Sequence, residues 1–206
     1  MFKEIPANKL SILQRKPVYG VGINDADYMT LVTVDCKQYR CPYYKRWLDM
    51  LTRCYDDKFQ KRFPTYIGCT ICKEWVKFSN FRSWMENQDW PGKSLDKDII
   101  SQGNKIYSPS TCIFVTEEIN NLLTNKKLSR GDYPLGVSLK KRNGKYVAQC
   151  RAYGKTKHLG YFDTANEARK AYIKFKVRLI IKIADEQCDQ LKEALYRRAE
   201  LLNNEL

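Results

Sequence analysis

Histidine is almost absent from this sequence, which has His158 as its only example among 206 residues. A cysteine nucleophile usually needs a histidine base beside it. The shortage therefore argues against cysteine catalysis. We expect four of the eight cysteines to be core or surface thiols: Cys54, Cys112, Cys150 and Cys188.

Long apolar runs are also missing. A membrane-spanning helix needs about 20 consecutive apolar residues, and no stretch approaches that length. Residues Met1 to Pro6 contain no apolar run of signal-peptide length. We therefore expect a soluble, cytoplasmic protein with no membrane partner, whose cysteines are free thiols or metal ligands and not a secreted disulfide scaffold.

Acidic residues are scarce beside basic ones, with 23 Asp and Glu against 37 Lys and Arg and a net charge of +14. Such an excess attracts phosphate backbones, acidic proteins or anionic lipid head groups, and charge alone does not choose among them. The 43% hydrophobic and 13% aromatic content predicts a globular chain of one or two domains.

Apolar residues recur at helical spacing in the first half of the chain. One predicted helix begins at Pro42 and carries Tyr44, Trp47, Leu48, Leu51 and Tyr55 on one face. A second carries Trp75, Phe78, Phe81, Arg82 and Met85. Aromatic stripes of this kind are typical of a core.

A new domain is predicted near Tyr133, after the basic stretch Asn125 to Lys127. We assign residues 1–124 to an N-terminal and middle region, 125–132 to a linker, 133–183 to a small module and 184–206 to an amphipathic helix. That last helix carries Leu191, Leu195 and Leu202, and either packs on the body or pairs with a second copy in a homodimer.

The module at 133–183 has the pattern of three short strands followed by a helix. Strands are expected at 135–141, 145–153 and 155–162, separated by Asn143-Gly144 and by Gly154, which suit tight turns. Thr164 to Glu167 forms a capping box. The helix that follows should cover one face of the sheet and leave the other face for a partner.

Strand alternation makes the free face of this sheet polar and basic. If Val137 and Leu139 point inward, Ser138 and Lys140 point outward. Basic residues outnumber acidic ones by 13 to 2 between residues 133 and 183. Such a face can enter the major groove of double-stranded DNA. The expected DNA-binding residues are Ser138, Lys140, Lys141, Arg142, Lys145, Gln149, Arg151, Lys155, Lys157 and His158.

The same segment resembles the APETALA/ethylene-response-factor DNA-binding domain, in the version found in phage and mobile-element endonucleases. The resemblance covers about fifty residues and rests on these runs: Leu135 to Ser138, Gly144 to Ala148, Lys157 to Phe162, and Thr164 through Glu167-Ala168 to Ala171-Tyr172. It implies a three-stranded sheet in the major groove, with Lys140, Arg142, Gln149, Arg151 and His158 at DNA-contact positions. Ser138 and His158 stand where Arg and Trp are common, so the target sequence does not transfer.

A second resemblance lies in the middle region. Leu95 to Ile99, Gly103 to Lys105, Ser108 to Cys112 and Glu118 to Asn120 are similar to the core of HNH endonucleases. In that family a histidine activates water and a carboxylate helps to hold a divalent metal. The implied fold is α+β, with a degenerate ββα-metal middle region before the three-stranded antiparallel sheet and its helix.

The histidine of that core is replaced here by Lys97. Neighbouring carboxylates favour the charged form of a lysine, which cannot accept a proton. Asp96 and Asp98 still have the oxygen ligands that Mg²⁺ prefers, with Asn104 or Asn120 assisting. These five residues are the predicted catalytic set; the alternative is that Asp96, Asp98 and Asn104 are turn residues.

Cys69 and Cys72 have zinc-knuckle spacing, and Cys36 with Cys41 offers a second pair for a structural Zn²⁺ site. Buried free thiols are the alternative, since Cys-x₄-Cys is at the loose end of the usual range.

Three functional hypotheses follow. The first is a metal-dependent endonuclease related to homing endonucleases, acting in a bacterial host cell. The second is a catalytically inactive DNA-binding regulator. The third is a phage protein that binds and inhibits a host protein. The lack of histidine favours the second and third, and the retained Asp96 and Asp98 favour the first.

Overall fold

The structure is a computed structural model that describes residues 2–123 and 133–206. The chain is mixed α/β and divides into two compact units, Met1–Phe114 and Val115–Leu206, which we call the N-terminal unit and the C-terminal unit. The linker predicted at 125–132 lies outside the described residues. No helix in the described ranges combines the length and the apolar character needed to cross a bilayer.

The N-terminal unit consists of short helices and three small strand pairs. Its helices are α1 (Lys9–Leu13), α2 (Pro42–Tyr55), α3 (Asp57–Arg62) and α4 (Phe78–Glu86). Its strands are β1 (Leu31–Val34), β2 (Lys37–Arg40), β3 (Thr70–Ile71), β4 (Ser94–Asp96), β5 (Ile106–Tyr107) and β6 (Ile113–Val115), which ends at the unit boundary. β1 pairs with β2 antiparallel, β3 with β5 parallel, and β4 with β6.

An aromatic core holds this unit together and confirms the two helices predicted from aromatic spacing. Trp47 of α2 and Trp75, just before α4, are 0% and 1% exposed. The Trp47 indole Nε1 donates to the Trp75 carbonyl at 2.7 Å, so its polar atom is satisfied. Phe78 and Phe81 of α4 complete the cluster. Each such side chain contributes about 1.5–3 kcal/mol by burial.

The C-terminal unit contains one sheet and three helices in the described ranges. The elements are α5 (Glu117–Leu123), β7 (Val137–Lys140), β8 (Lys145–Ala152), β9 (Lys155–Phe162), α6 (Ala165–Ala184) and α7 (Asp189–Asn203). The sheet is antiparallel with order β7-β8-β9, which confirms the three predicted strands. Gly144 and Gly154 both have positive φ at the two turns, as tight hairpin turns require.

One face of the sheet is covered by α6. The predicted capping box is present: Thr164 Oγ1 accepts from the Glu167 N–H, and the Glu167 carboxylate accepts from the Thr164 N–H. Tyr172 of α6 packs so close to Gly136 that a Cβ there would lie 2.0 Å from its ring. α7 packs on α6 and buries Leu191 and Leu195 within the chain, which places sheet, α6 and α7 in successive layers.

Candidate nucleic-acid interface

Pairing in the sheet decides which side chains lie on the face away from α6. Residues paired across an antiparallel ladder project to the same side. Leu139 pairs with Tyr146, and Val137 with Ala148, and these residues face α6. The opposite side, which we call the outer face, presents Ser138, Lys140, Lys145, Val147, Gln149, Arg151, Thr156, His158 and Tyr161.

A β-bulge shapes the outer face. Ala148 pairs with Gly160 and Gln149 with His158, so Leu159 is an extra residue in β9. A bulge shifts the alternation of a strand by one residue. As a result Tyr161, on one side of the bulge, and His158, on the other side, both project from the outer face.

Tyr161 of β9 belongs to the outer face and was not among the residues predicted from the sequence. Strict alternation from His158 would place Tyr161 against the helix. Its side chain is instead 50% exposed. Lys140 Nζ donates to Tyr161 Oη at 3.1 Å, and the His158 ring centroid lies 4.7 Å from the Tyr161 ring. Gly160 within a strand pattern was the available signal of a bulge.

The donors of the outer face differ in how free they are. Arg151 and Gln149 are exposed, and register places them opposite Thr156 and His158. Lys145 instead forms an ion pair with Asp163 at the end of the sheet. An exposed arginine can donate to guanine O6 and N7, and a glutamine can pair with adenine. The row from Gln149 to Arg151 therefore has the chemistry to read base edges.

Lys155 and Lys157, which are also predicted to bind DNA, do not lie on the outer face. Register pairs Lys157 with Cys150 and Lys155 with Ala152, both on the side of α6. Lys157 Nζ accordingly lies 5.0 Å from the centroid of the Phe175 ring of α6.

The remaining two basic residues of the predicted set lie in the β7–β8 turn. Lys141 and Arg142 are both exposed there, beyond the ends of the paired strands. This position suits contact with a phosphate backbone and not with base edges in the groove.

A cleft of about 510 Å³ in the C-terminal unit lies beside the second half of β8, which extends past its pairing with β7. Gln149 and Arg151 line it together with Glu117 and Glu118 of α5. Two carboxylates thus share a cleft with the arginine of the outer face. They would compete with phosphate for the same guanidinium.

The middle-region residues predicted to be catalytic are engaged in local hydrogen bonds. Asp96 Oδ1 accepts from the N–H groups of Asp98 and Ile99, each at 2.8 Å. Asn104 Nδ2 donates to the carbonyls of Lys97 at 2.8 Å and Ile106 at 2.6 Å. Asn104 Oδ1 also accepts from the Ile106 N–H at 3.1 Å. These side chains hold the loop between β4 and β5.

Lys97 is buried, with 7% of its surface exposed. Its Nζ donates to Asp98 Oδ2 at 3.2 Å and lies 5.9 Å from the Tyr107 ring centroid. Burial, and next the charge of Asp98, raise the pKa of Asp96 above its usual range. The lysine is therefore a partner for a carboxylate in this loop.

The residues predicted to hold magnesium are engaged in other contacts. One oxygen of Asp96 already accepts two backbone bonds, and Asp98 binds Lys97. Asp96, Lys97, Asp98 and Asn104 belong to the N-terminal unit, and Asn120 lies in α5. No three His, Cys, Asp or Glu side chains in residues 2–123 and 133–206 form a group able to hold a metal.

The four cysteines predicted to bind zinc are not brought together, since no three of them are grouped within the described part of the chain. Cys36 is exposed in the β1–β2 turn, and the buried Cys41 Sγ lies 3.3 Å from Tyr28 Oη. Cys69 is buried and Cys72 half-buried, on either side of β3. All eight cysteines are free.

Two of the remaining thiols are buried in the N-terminal unit. Burial raises the pKa of Cys54 and of Cys112 to about 12, so both are neutral near pH 7. A neutral buried thiol is a poor nucleophile, which agrees with the expectation that these cysteines are core residues.

The order of strands and helix in the C-terminal unit is the one that the ethylene-response-factor resemblance implies, but the family assignment stays a prediction. The same holds for the HNH resemblance of the middle region. No protein-family model matches the chain, and neither a curated protein nor a solved structure matches it.

Proposed function

We propose that this protein binds double-stranded DNA by placing the outer face of the β7-β8-β9 sheet in the major groove. The observation that carries the proposal is the exposed set on one rigid sheet: Lys140, Gln149, Arg151, His158 and Tyr161. The opposite face of that sheet is covered by α6, so the outer face is the side that can take a partner.

The charge of the C-terminal module supports nucleic acid as that partner. Basic residues outnumber acidic ones by 13 to 2 between residues 133 and 183, whereas ordinary protein surfaces mix the two signs. Lys and Arg at the rim neutralise phosphates and set the position of the sheet. Arg151 and Gln149, farther along β8, then lie where base edges are read.

We further propose that binding occurs without cleavage, as in the regulator hypothesis. The polar side chains of the middle region bond to the backbone and to one another. Lys97 donates to Asp98 within the same loop. The descent from an HNH homing endonuclease rests on sequence resemblance alone.

Fluorescence anisotropy with a labelled duplex tests the binding. We expect affinity to fall steeply, by about 100-fold or more, as salt rises from about 50 to 200 mM, because bound phosphates release counterions. The Arg151→Ala variant should weaken binding at every salt concentration. Salt-insensitive binding, or none, would contradict the proposal.

Incubation with supercoiled plasmid tests the proposal that the protein does not cleave DNA. Reactions contain Mg²⁺ or Mn²⁺, or EDTA, and an Asp98→Ala variant serves as the control. We expect no nicking in any reaction. Metal-dependent cleavage that disappears in Asp98→Ala would overturn the non-catalytic proposal while leaving DNA binding intact.

A further inference from the structure

Helix α6 carries a row of four cations on its exposed side. We call this row the α6 stripe; its members are Lys170, Lys174, Arg178 and Lys182, and all four are exposed. They are spaced four residues apart, so neighbouring side chains lie one above the other, roughly 6 Å apart along the helix.

The α6 stripe repeats one sign of charge at four-residue spacing. Three ion pairs elsewhere in the chain instead combine a cation and a carboxylate four residues apart: Arg82–Glu86, Asp89–Lys93 and Glu193–Arg197. On α6 the same spacing places three like-charged pairs in succession, which destabilises a helix. No ion pair to any of the four cations occurs among the described residues. A charge pattern that costs helix stability points to an external anion.

The α6 stripe is not part of the surface that α6 packs against the sheet. α6 buries Ala168, Tyr172 and Leu179 on the side that covers the sheet. The stripe lies on an exposed flank of the helix that neither the sheet nor α7 buries, and the sheet separates it from the outer face, so the two surfaces point in different directions. A short, straight duplex on the outer face does not reach it.

Tyr153 extends the α6 stripe at its C-terminal end. This residue lies in the β8–β9 turn, has positive φ and is 52% exposed. Lys182 Nζ lies 5.7 Å from the centroid of its ring. The hydroxyl adds a neutral hydrogen-bond donor to the four cations, as is common in phosphate contacts.

We propose that the α6 stripe binds the phosphate backbone of a second duplex, so that one protein molecule bridges two DNA segments. Phosphate contacts need positive charge and donors but no apolar core, which matches the composition of the stripe. The choice of DNA as the polyanion rests on the proposed function of the outer face. Because the sheet lies between the stripe and the outer face, the duplex on the stripe is a different one.

A capture experiment tests bridging. One duplex of about 20 bp, too short to wrap around the module, is immobilised on beads, and a second, fluorescent duplex is offered with full-length protein. The stripe variant carries Lys170→Gln, Lys174→Gln, Arg178→Gln and Lys182→Gln. A matched control removes four exposed cations of the N-terminal unit, by Lys58→Gln, Lys61→Gln, Lys73→Gln and Lys77→Gln.

We expect wild type and the matched control to capture the second duplex, and the stripe variant to capture about tenfold less. Binding of a single duplex, followed by anisotropy, should change by less than about threefold in the stripe variant. Circular dichroism establishes that the variant is folded.

Three results would overturn the proposal. If the stripe variant bridges as well as wild type, bridging depends on another surface or on a homodimer with two outer faces. If wild type binds one duplex but never bridges two, the proposed role of the α6 stripe is wrong while the proposed function stands. Failure of wild type to bind even one duplex would refute the proposed function as well.

Discussion

The outer face and the loop from Asp96 to Asn104 contain similar polar chemistry but use it differently. On the outer face, Gln149 and Arg151 project from a paired strand into solvent. In the loop, Asp96 and Asn104 bond to neighbouring backbone groups, and Lys97 is buried against Asp98. The first region has donors to offer to a partner, whereas the second uses its polar atoms to stabilise its own turn.

The contrast shows why residue type alone is a weak guide to a site. A carboxylate oxygen accepts a backbone N–H as well as it binds a metal. What separates the two uses is whether the local chain supplies donors first. In the sheet the backbone groups are paired between strands, which leaves the side chains free for a partner.

The largest effect is expected from a double substitution on the outer face. Arg151→Ala with Lys140→Ala removes one base-reading and one phosphate contact, so duplex affinity should fall about 100-fold. The matched control is Lys155→Ala with Lys157→Ala, which removes the same charge from the α6 side of the sheet. Anisotropy titrations compare the two. An equal loss in both would show that only net charge matters and that the register argument is wrong.

Much of the C-terminal module could be predicted from its sequence because local signals agree there. The turn glycines, the capping box and period-two alternation each act over a few residues. They correctly placed Gln149 and Arg151 on the free side of β8. The bulge at Leu159 broke that alternation in β9, so Tyr161 was missed.

The middle region was harder to predict for a different reason. Motif spacing placed Asp96 and Asp98 together correctly, but whether they hold a metal or a turn depends on hydrogen bonds that form only in the folded chain. Cys36 and Cys41 likewise suit zinc by spacing, although strand β2 separates the two residues.

A smaller loss of duplex affinity is expected from Tyr161→Phe, which tests one hydroxyl group of the outer face. The change removes only the hydroxyl that accepts from Lys140 Nζ at 3.1 Å. Lys140 should then be less well positioned, and affinity should fall about fivefold. Tyr146→Phe is the control, since Tyr146 faces α6. If both phenylalanine variants bind like wild type, the Tyr161 hydroxyl has no part in recognition.

A change in the opposite direction is expected from Glu117→Gln with Glu118→Gln. Both carboxylates line the cleft that also includes Arg151. Removing them should strengthen duplex binding about threefold at low salt, and the gain should shrink as salt screens the charges. Glu193→Gln with Glu200→Gln changes net charge equally on α7. An identical gain in that control would mean that the cleft has no special role.

The smallest effect is a change in stability, and it tests whether the polar side chains of the Asp96–Asn104 loop serve the loop itself. Asp96→Asn keeps an oxygen that can accept from the N–H groups of Asp98 and Ile99 but removes the charge. Burial and Asp98 raise the pKa of Asp96 in the folded state, so the folded protein binds that proton more tightly than the unfolded chain does. Wild type therefore loses this stabilisation as pH rises through the raised pKa, whereas the variant does not.

Thermal unfolding followed by circular dichroism measures this difference. The midpoints of wild type and Asp96→Asn should agree near about pH 4 and separate by a few degrees near about pH 7, with the variant higher. Asp98→Asn should instead be less stable at neutral pH, because it leaves the buried Lys97 ammonium without its charged partner. If Asp96→Asn instead unfolds at a lower temperature than wild type at neutral pH, the negative charge of Asp96 is itself required, as it would be in a metal ligand. The loop would then resemble the outer face, because it would keep a charge for a partner.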